Sequence, residues 1–448
     1  MLSLREAIAK AQNGDTIQFS EPGAIKLSGK QLGITKSITI DATTAWDHEN
    51  SAPGITVDGN LKSTVFSISG NNADVRLKGL KIANGKQGIY VYQCSVTIEN
   101  CTISDNKNDS DGGGIYAYNS TVTITNSLIT RNSSNKRRGG GIAAEKCTVS
   151  IMNSEISGNS AYAWGGITSV NGAVTITNST ISGNSATSHC GGVSASGSLN
   201  ENGSLELYNS IVALNYGGDY EGSSNDVIKN CLIGTDPKFV SPPIFVGEKI
   251  SNLNNLDLRL TSGSLALDRG NNDYCNWDVD LDNNERFVSA RSTEARVDIG
   301  AYEYQEMIPS VSEEFSGEVT TIEDVVDPTD GKISLREAIL YADDSETIKF
   351  APSLNGANIK LNDNELFITR KLTIDASSLS ERITIDGDKK NRVFSIYCDV
   401  SLNNVIITNG NTNGSTNYGL DSRGGGGVFA SSCTLTMINS VISENNAN

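Results

Sequence analysis

The side chains best suited to chemistry recur in short segments that each precede a pair of glycines. In chain order they are Lys107, Asp109 and Asp111, then Lys136, Arg137 and Arg138, then Tyr162 and Trp164, then His189, and lastly Tyr216 and Tyr220. Basic groups beside aromatic rings suit an extended glycan, because sugar rings stack on Trp or Tyr and sugar acids pair with Arg. The predicted ligand-binding residues are therefore Lys136, Arg137, Arg138, Tyr162, Trp164 and His189. The alternative is a row of solvated turns.

Two kinds of catalysis could use the acids and bases of these segments. A β-eliminating lyase needs Ca²⁺ held by carboxylates and an Arg or Lys base of lowered pKa. Asp105, Asp109 and Asp111, with Arg137 or Arg138, form the cluster that could supply both. A glycoside hydrolase needs two carboxylates roughly 5 to 9 Å apart, for which Asp109 and Asp111 are the nearest pair. The sequence favours binding over cleavage, and we assign no catalytic residue.

The best metal candidate is an acidic run further along the chain. Asp278, Asp280 and Asp282 alternate, which places carboxylate oxygens around one loop, as Ca²⁺ requires. The pattern departs from a Ca²⁺-binding loop because Asn283 replaces the usual glycine and Ser289 the bidentate glutamate. Ca²⁺ is the one cofactor that the sequence suggests, and a solvated acidic turn is the alternative.

Composition excludes several classes of function. Lys and Arg total 35 against 52 Asp and Glu, a net charge of −17 over 448 residues, which argues against binding of nucleic acid or of acidic membranes. No stretch approaches the ~18 apolar residues of a membrane helix, so we expect no membrane insertion. With 8 Pro and 19% charged residues, the chain is not of the disordered class.

A repeated phrase determines the predicted architecture. It consists of an apolar residue alternating with Thr or Ser, an Asn, and a second Asn six residues later. The first Asn lies at Asn100, Asn126, Asn153, Asn178 and Asn209, a period of roughly 26 residues. Alternation predicts short strands with one buried face, while Asn and Gly suit sharp corners. The fold class is therefore all-β: a right-handed parallel β-helix, a three-sheet solenoid whose coils stack at ~4.8 Å.

The chain also restarts once. Ser3-Leu-Arg-Glu-Ala-Ile8 returns as Ser334-Leu-Arg-Glu-Ala-Ile339, and both copies carry the Ser-x-x-Glu of a capping box. A short amphipathic helix there would cover the open end of a solenoid. We expect a first β-helix over 1–304, with a capping helix at 3–12, coils from about 33 to 235 and a closing segment at 236–304. A linker at 305–317 and the truncated start of a second β-helix at 318–448 follow.

Smaller features have structural interpretations. Asp41, Asp58, Asp375 and Asp386 follow a strand and are expected to close turns. Cys94 and Cys147 occupy equivalent places two coils apart, about 9.6 Å, which is too far for a disulfide. Cys94 and Cys101 could pair only if a corner brought them together. The cysteines are therefore interpreted as replaceable small residues.

These motifs resemble bacterial surface β-helix proteins. The Ser-Leu-Arg-Glu-Ala-Ile helix followed by Gly14-Asp-Thr-Ile-Gln-Phe19 resembles the "CSLREA" type, although Leu2 and Ile333 replace the family's leading Cys. The Gly-Gly-Ile and Asn phrases resemble the repeats of polymorphic outer-membrane proteins, which are autotransported adhesins. Leu232 to Phe239, Ser264 to Gly270 and Asp298 to Tyr304 are similar to the closing segment of large secreted β-helix proteins, also found on pectate-lyase-like chains.

The resemblance covers nearly the whole chain and implies a secreted or outer-membrane, cell-surface location. We expect an adhesin-like, glycan-contacting stalk without catalysis, whose partner is an extracellular glycan or the surface of a host or neighbouring cell. A polysaccharide lyase or glycoside hydrolase of pectate-lyase-like type is the alternative, because one solenoid carries many functions. The chain is expected to act as a monomer within a longer tandem protein.

Overall fold

Alternating apolar residues turn the repeats into strands with one face inside the solenoid. The structure is a computed structural model that describes residues 2–46, 52–196, 203–222, 226–290, 295–306, 317–327, 330–362, 365–412 and 425–447. In the strand Thr121–Thr125, Val122 and Ile124 are buried, while Thr121 is exposed. Each strand pairs in parallel with the equivalent strand of the next coil, Val122 with Val149 and Ile124 with Ile151. This stacking confirms the predicted parallel β-helix.

Three long parallel sheets form the first solenoid. The first sheet contains Thr16–Gln18, Thr39–Asp41, Asp74–Lys78, Ser95–Glu99, Thr121–Thr125, Thr148–Met152, Ala173–Thr177, Ser204–Tyr208 and Val227–Lys229. The second contains Gly23–Lys26, Ile55–Asp58, Leu80–Ala83, Thr102–Ser104, Leu128–Thr130, Glu155–Ser157, Thr180–Ser182, Ile211–Ala213 and Leu232–Ile233. The third contains Leu32–Ile34, Thr64–Ser69, Gln87–Tyr92, Ile115–Tyr118, Ile142–Glu145, Ile167–Val170, Val193–Ser196 and Tyr220–Glu221. The parallel strands thus begin at Thr16, earlier than the expected residue 33.

A fourth, shorter parallel sheet adds a side to four of the coils. It contains Lys107–Asn108, Ser133–Arg138, Ser160–Ala163 and Ser185–Ser188, between the second and third sheets of each coil. These segments, which precede the Gly pairs, are therefore strands and not loops, because their backbone groups also pair from coil to coil.

The two Asn columns of the repeat make different corners. The first Asn of each phrase adopts the left-handed backbone, with φ of 48° at Asn126, 47° at Asn153 and 47° at Asn178. These residues form one column, in which Asn153 Nδ2 donates to Asn126 Oδ1 at 2.7 Å. The second Asn points inward instead and is buried. Asn106, Asn132, Asn159 and Asn184 each donate an Nδ2 hydrogen bond to the Oδ1 of the next Asn in the column, and the last, Asn215, donates to Asp219 Oδ1.

Both capping boxes form as predicted. The helix α1 spans Leu4–Lys10 with Ser3 as its cap, and α2 spans Leu335–Tyr341 with Ser334 as its cap. Leu4 and Ile8 of α1 join the core of the first solenoid. Short 3₁₀ turns occur at Thr43–Ala45, Leu253–Asn255, Asn272–Tyr274 and Pro352–Leu354. Within the described ranges, no helix is long and apolar enough to cross a membrane.

The predicted closing segment, 236–304, lies along the outer wall of the first solenoid in its described residues, and we call it the wall segment. It contains two antiparallel pairs, Phe239–Ser241 with Asp257–Leu260 and Phe245–Val246 with Lys249–Ile250. Its own apolar cluster packs on Ile211 and Ala213 of the second sheet. Arg286, fully buried, donates to Asn153 Oδ1 at 2.7 Å and to the Gly300 carbonyl at 2.9 Å, which fixes the segment to the wall.

A second set of parallel sheets follows, and most of the predicted linker, 307–316, lies outside the described residues. Its first sheet contains Glu318–Val319, Glu346–Phe350, Leu372–Asp375, Val400–Asn403 and Leu435–Ile438. Its second contains Asn358–Lys360, Ile383–Asp386, Val405–Thr408 and Val441–Ser443, and its third Leu366–Ile368, Phe394–Ile396 and Val428–Ala430. The last coil of the first set contacts it directly, since the Asn230 amide donates to the Thr369 carbonyl at 3.1 Å.

Four aspartates close turns, and the cysteines are not joined in disulfides. The carboxylates of Asp41, Asp58, Asp375 and Asp386 each accept a hydrogen bond from the backbone amide two residues later, which confirms that they close turns. All eight cysteines are free thiols. The Cys94 amide donates to Ser120 Oγ on the next coil, as expected for one column of small residues. Burial raises the pKa of both Cys94 and Cys147.

Candidate functional site

The predicted ligand-binding residues lie on or beside the fourth sheet. Ser134 pairs with Ala161, and Arg138 pairs with Ala163, so Asn135, Lys136 and Arg137 bulge outward opposite the single residue Tyr162. The Tyr162 side chain is 53% exposed, and the side chain of Lys136 is 72% exposed. The bulge therefore presents two cations beside an open aromatic ring, the combination that the sequence predicts for glycan contact.

Lys136 and Arg137 differ in their partners. Lys136 Nζ lies 2.7 Å from Asp109 Oδ2 on the preceding coil, and this contact lowers the pKa of Asp109. Arg137 is exposed, and no hydrogen bond or ion pair joins it to a residue that the structure describes. Its guanidinium is thus available for a carboxylate or sulfate of a ligand, to which Arg can donate two parallel hydrogen bonds.

The three acids proposed for a lyase or hydrolase are each held by a separate cation. Asp105 receives two hydrogen bonds from Arg131, at 2.8 and 2.9 Å. Asp109 pairs with Lys136, and Asp111 Oδ2 lies 3.4 Å from Arg138 Nε. Arg138 also donates to Glu145 Oε2 at 2.9 Å, which ties the fourth sheet to the third. Each of the three carboxylates thus pairs with a different basic residue on the following coil.

Trp164 and His189 stack on each other, and both contact the carboxylate of Glu221, which is not among the residues predicted from the sequence. Their ring centroids are 4.2 Å apart at 19°, and Trp164 Nε1 donates to Glu221 Oε2 at 3.0 Å. His189 Nδ1 lies 3.4 Å from the same oxygen. Burial raises the pKa of Glu221, and the nearby His189 lowers it in part. The imidazole is 41% exposed, so this pair presents a polar ring surface to solvent.

The backbone at this pair is unusual. Trp164 has φ of 55°, in the position before the Gly pair that Gly112 and Gly139 occupy on earlier coils with φ of 68° and 69°. A bulky residue in the left-handed region costs on the order of 1–3 kcal/mol, a strain that clusters at functional sites. Glu221 could not be found from the sequence, because it belongs to a later coil whose length departs from the repeat.

Tyr216 and Tyr220, the last two residues of the predicted binding segments, lie in different environments. Tyr216 is 37% exposed and its ring lies 5.6 Å from that of Phe245 in the wall segment. Tyr220 is buried and its hydroxyl donates to Asp226. Tyr220 therefore belongs to the core, and the prediction that it lies among the ligand-facing residues is wrong.

The acidic loop uses its central carboxylate to hold its own backbone. Asp280 Oδ1 accepts from the amides of Asp282 and Asn284, and its Oδ2 accepts from the Glu303 amide at 2.9 Å. Asp278 and Asp282 are exposed. Across the described ranges, no group of three or more His, Cys, Asp or Glu side chains is placed to hold a metal ion. Asp280 thus binds backbone amides of its own loop and of Glu303, 23 residues later in the chain.

Comparison with known proteins agrees with this architecture. Residues 63–233 match the model of the right-handed β-helix region. They span the coils that carry the fourth sheet and the row of exposed residues. No curated protein matches the chain.

Solved structures similar to this chain include polysaccharide lyases. Pectate lyase Pel9A is 17% identical with a TM-score of 0.34, over 67% of this chain and 91% of that one. The PL6 family alginate lyase AlyGC is 11% identical with a TM-score of 0.23, over 98% of this chain and 74% of that one. A mutant of the same alginate lyase has 12% identity and a TM-score of 0.21, over 98% and 77%. At these identities and TM-scores, the likenesses give no information on activity.

Proposed function

We propose that this chain is a secreted or cell-surface β-helix protein that contacts an acidic glycan without cleaving it, as an adhesin or stalk. The contact surface is the fourth sheet with the residues at its edge: Lys136, Arg137, Tyr162, Trp164 and His189. The partner is a glycan of the extracellular matrix or of a host or neighbouring cell.

One observation carries this proposal: the bulge at Asn135 to Arg137 presents Lys136 and Arg137 beside the open ring of Tyr162. Further coils extend the same surface toward the Trp164–His189 pair. Because coils repeat at ~4.8 Å, such a row matches a long polymer better than a small, enclosed ligand.

The pairing of the acids favours contact over cleavage. A lyase of the kind considered above needs carboxylates that converge on one cation beside an unpaired base. Here Asp105, Asp109 and Asp111 each pair with a different basic residue.

The test is to apply the full chain to a glycan array that contains acidic and neutral polysaccharides, with and without Ca²⁺. The unsaturated ends that β-elimination creates are followed by ultraviolet absorbance in the same samples. We expect acidic glycans to be retained with no change in absorbance. Formation of unsaturated ends would replace this proposal with a lyase, and failure to retain any glycan would overturn it.

A further inference from the structure

Four tyrosines form a grid on the outer face of the third sheet. Tyr90 pairs with Tyr116 and Tyr92 with Tyr118 on adjacent coils. Both pairs have ring centroids 5.7 Å apart, with interplanar angles of 33° and 10°. Their neighbours along each strand, such as Ile89 and Ile115, point into the core, so the tyrosines point outward. We call Tyr90, Tyr92, Tyr116 and Tyr118 the tyrosine grid.

Small side chains leave the grid open at one end. Ser67 and Ser69 occupy the same register on the preceding coil, while Ala143 and Glu145 follow on the next. Tyr92, at the serine end, is 37% exposed. A ring with a serine neighbour keeps one face free for a ligand, whereas a ring inside a longer aromatic stack would be covered on both faces.

The hydroxyl groups of the grid are uncommitted. Four other tyrosines, Tyr208, Tyr220, Tyr302 and Tyr304, donate their hydroxyls to carboxylates. None of the four grid hydroxyls makes a hydrogen bond to any residue in the described part of the chain. Each can therefore both donate to and accept from a ligand.

One cation and two carboxylates lie at the border of the grid. Arg138 lies between Asp111 and Glu145, and all three side chains are about one-quarter exposed. Burial raises the pKa of Tyr116, and the nearby Glu145 and Asp111 raise it further, so its hydroxyl remains protonated. The grid thus combines ring surfaces and free hydroxyls with an excess of negative charge at its border, which suits hydroxyl-rich, uncharged sugars better than acidic ones.

We propose that the tyrosine grid is a second binding site, which takes uncharged sugar units of a glycan. This inference rests on the proposed function and deepens it, since the cationic bulge would bind acidic units and the grid neutral ones. The two sites lie on neighbouring walls of successive coils, the grid on the two coils that precede those of the bulge, and Arg138 joins the two walls.

The test compares two double variants of the full chain. Tyr92→Ser/Tyr118→Ser introduces the residue that the preceding coil already carries at this register, and Lys136→Ala/Arg137→Ala is its matched control. Binding is measured on arrays of uncharged oligosaccharides and of acidic ones, at low and high salt. We expect the tyrosine variant to lose at least tenfold in affinity for an uncharged glycan, without dependence on salt. The control should keep that binding and lose the salt-sensitive binding of acidic glycans.

The outcomes separate the two proposals. If the wild type and the tyrosine variant bind uncharged glycans equally well, the grid site is overturned and the cationic site is left intact. If acidic glycans are retained but no uncharged glycan binds, the grid site is also overturned and the cationic site is left intact. A wild type that binds no glycan of either kind would overturn both, and circular dichroism confirms that each variant is folded.

Discussion

At the scale of single residues, the inward Asn column shows how a repeated side chain can stabilise a solenoid. Asn132 Nδ2 donates to the Ile103 carbonyl at 2.8 Å and to Asn159 Oδ1 at 3.0 Å. Its own Oδ1 accepts from the amide and the side chain of Asn106. One amide group thus satisfies donors and acceptors of three successive coils in the buried interior.

Replacing Asn132 therefore has a large predicted cost. Asn132→Ala leaves several buried partners unsatisfied and should lower the free energy of unfolding by about 2–4 kcal/mol. Asn135→Ala, an exposed position three residues later, should change it by less than ~0.5 kcal/mol. Urea denaturation of the two variants measures the difference, and equal stabilities would contradict the role of the column.

The sequence predicted where the repeated Asn residues lie but not which of them turn a corner and which point into the core. Both Asn columns are visible as a period, but only backbone conformation distinguishes the corner residue Asn126, with φ of 48°, from the inward Asn132. Variation at the preceding position could have shown this, since Asp105, Arg131 and Gly158 there all take a left-handed backbone while the following Asn is kept. The Trp164–Glu221 bond joins residues 57 apart in the chain, which no local pattern contains.

At the scale of elements, the two capping boxes have the same sequence in different surroundings. Ser3 is exposed, whereas Ser334 is fully buried and its hydroxyl also donates to the Val325 carbonyl at 2.6 Å. The sequence predicted both helices from their spacing. It could not predict the burial of α2, which depends on its contacts with other parts of the chain.

This difference gives a prediction within one molecule. Ser3→Ala should cost about 1 kcal/mol, the usual loss for an N-cap. Ser334→Ala should cost about 2–3 kcal/mol, because the buried Ser334 hydroxyl both caps the helix and donates to the Val325 carbonyl. Chemical denaturation and hydrogen exchange of the two helices measure both effects. A larger loss for Ser3→Ala would show that burial of the second cap adds nothing.

The wall segment should respond to pH through its buried acids. Burial raises the pKa of Asp298 to about 7, and burial together with Asp298 raises the pKa of Glu303. Because both values exceed those of the unfolded chain, the folded state holds more protons, and stability should fall as pH rises from about 5 to about 8. Urea unfolding across this range tests the sign. Glu303→Gln should flatten the curve, and a rise in stability with pH would contradict the assignment.

At the scale of the whole molecule, the contact between the two sets of sheets depends on a buried tyrosine. Tyr397 is 3% exposed, its carbonyl accepts from Lys229 Nζ at 3.1 Å, and its ring lies 6.3 Å from that of Tyr220. The sequence showed the restart of the repeat but not this contact, because Ser69 occupies the equivalent place in the first copy.

Removal of this ring should loosen the contact. Tyr397→Ala should cost about 3–5 kcal/mol, the range for truncating a large buried aromatic residue, and separate the unfolding of the two sets of sheets. Calorimetry should then show two transitions in place of one. Tyr162→Ala, at a position that is 53% exposed, is the matched control and should leave the trace unchanged. An unaltered trace for Tyr397→Ala would show that the contact contributes little.

The central measurement is the affinity of the wild type and of Lys136→Ala/Arg137→Ala for one acidic oligosaccharide, titrated at low and at high salt. If the outward bulge of the fourth sheet is the main contact, the wild type binds, its affinity falls as salt is added, and the double variant loses at least tenfold at low salt. Equal affinity of both proteins at low salt would contradict the proposal that this wall of the solenoid meets the glycan.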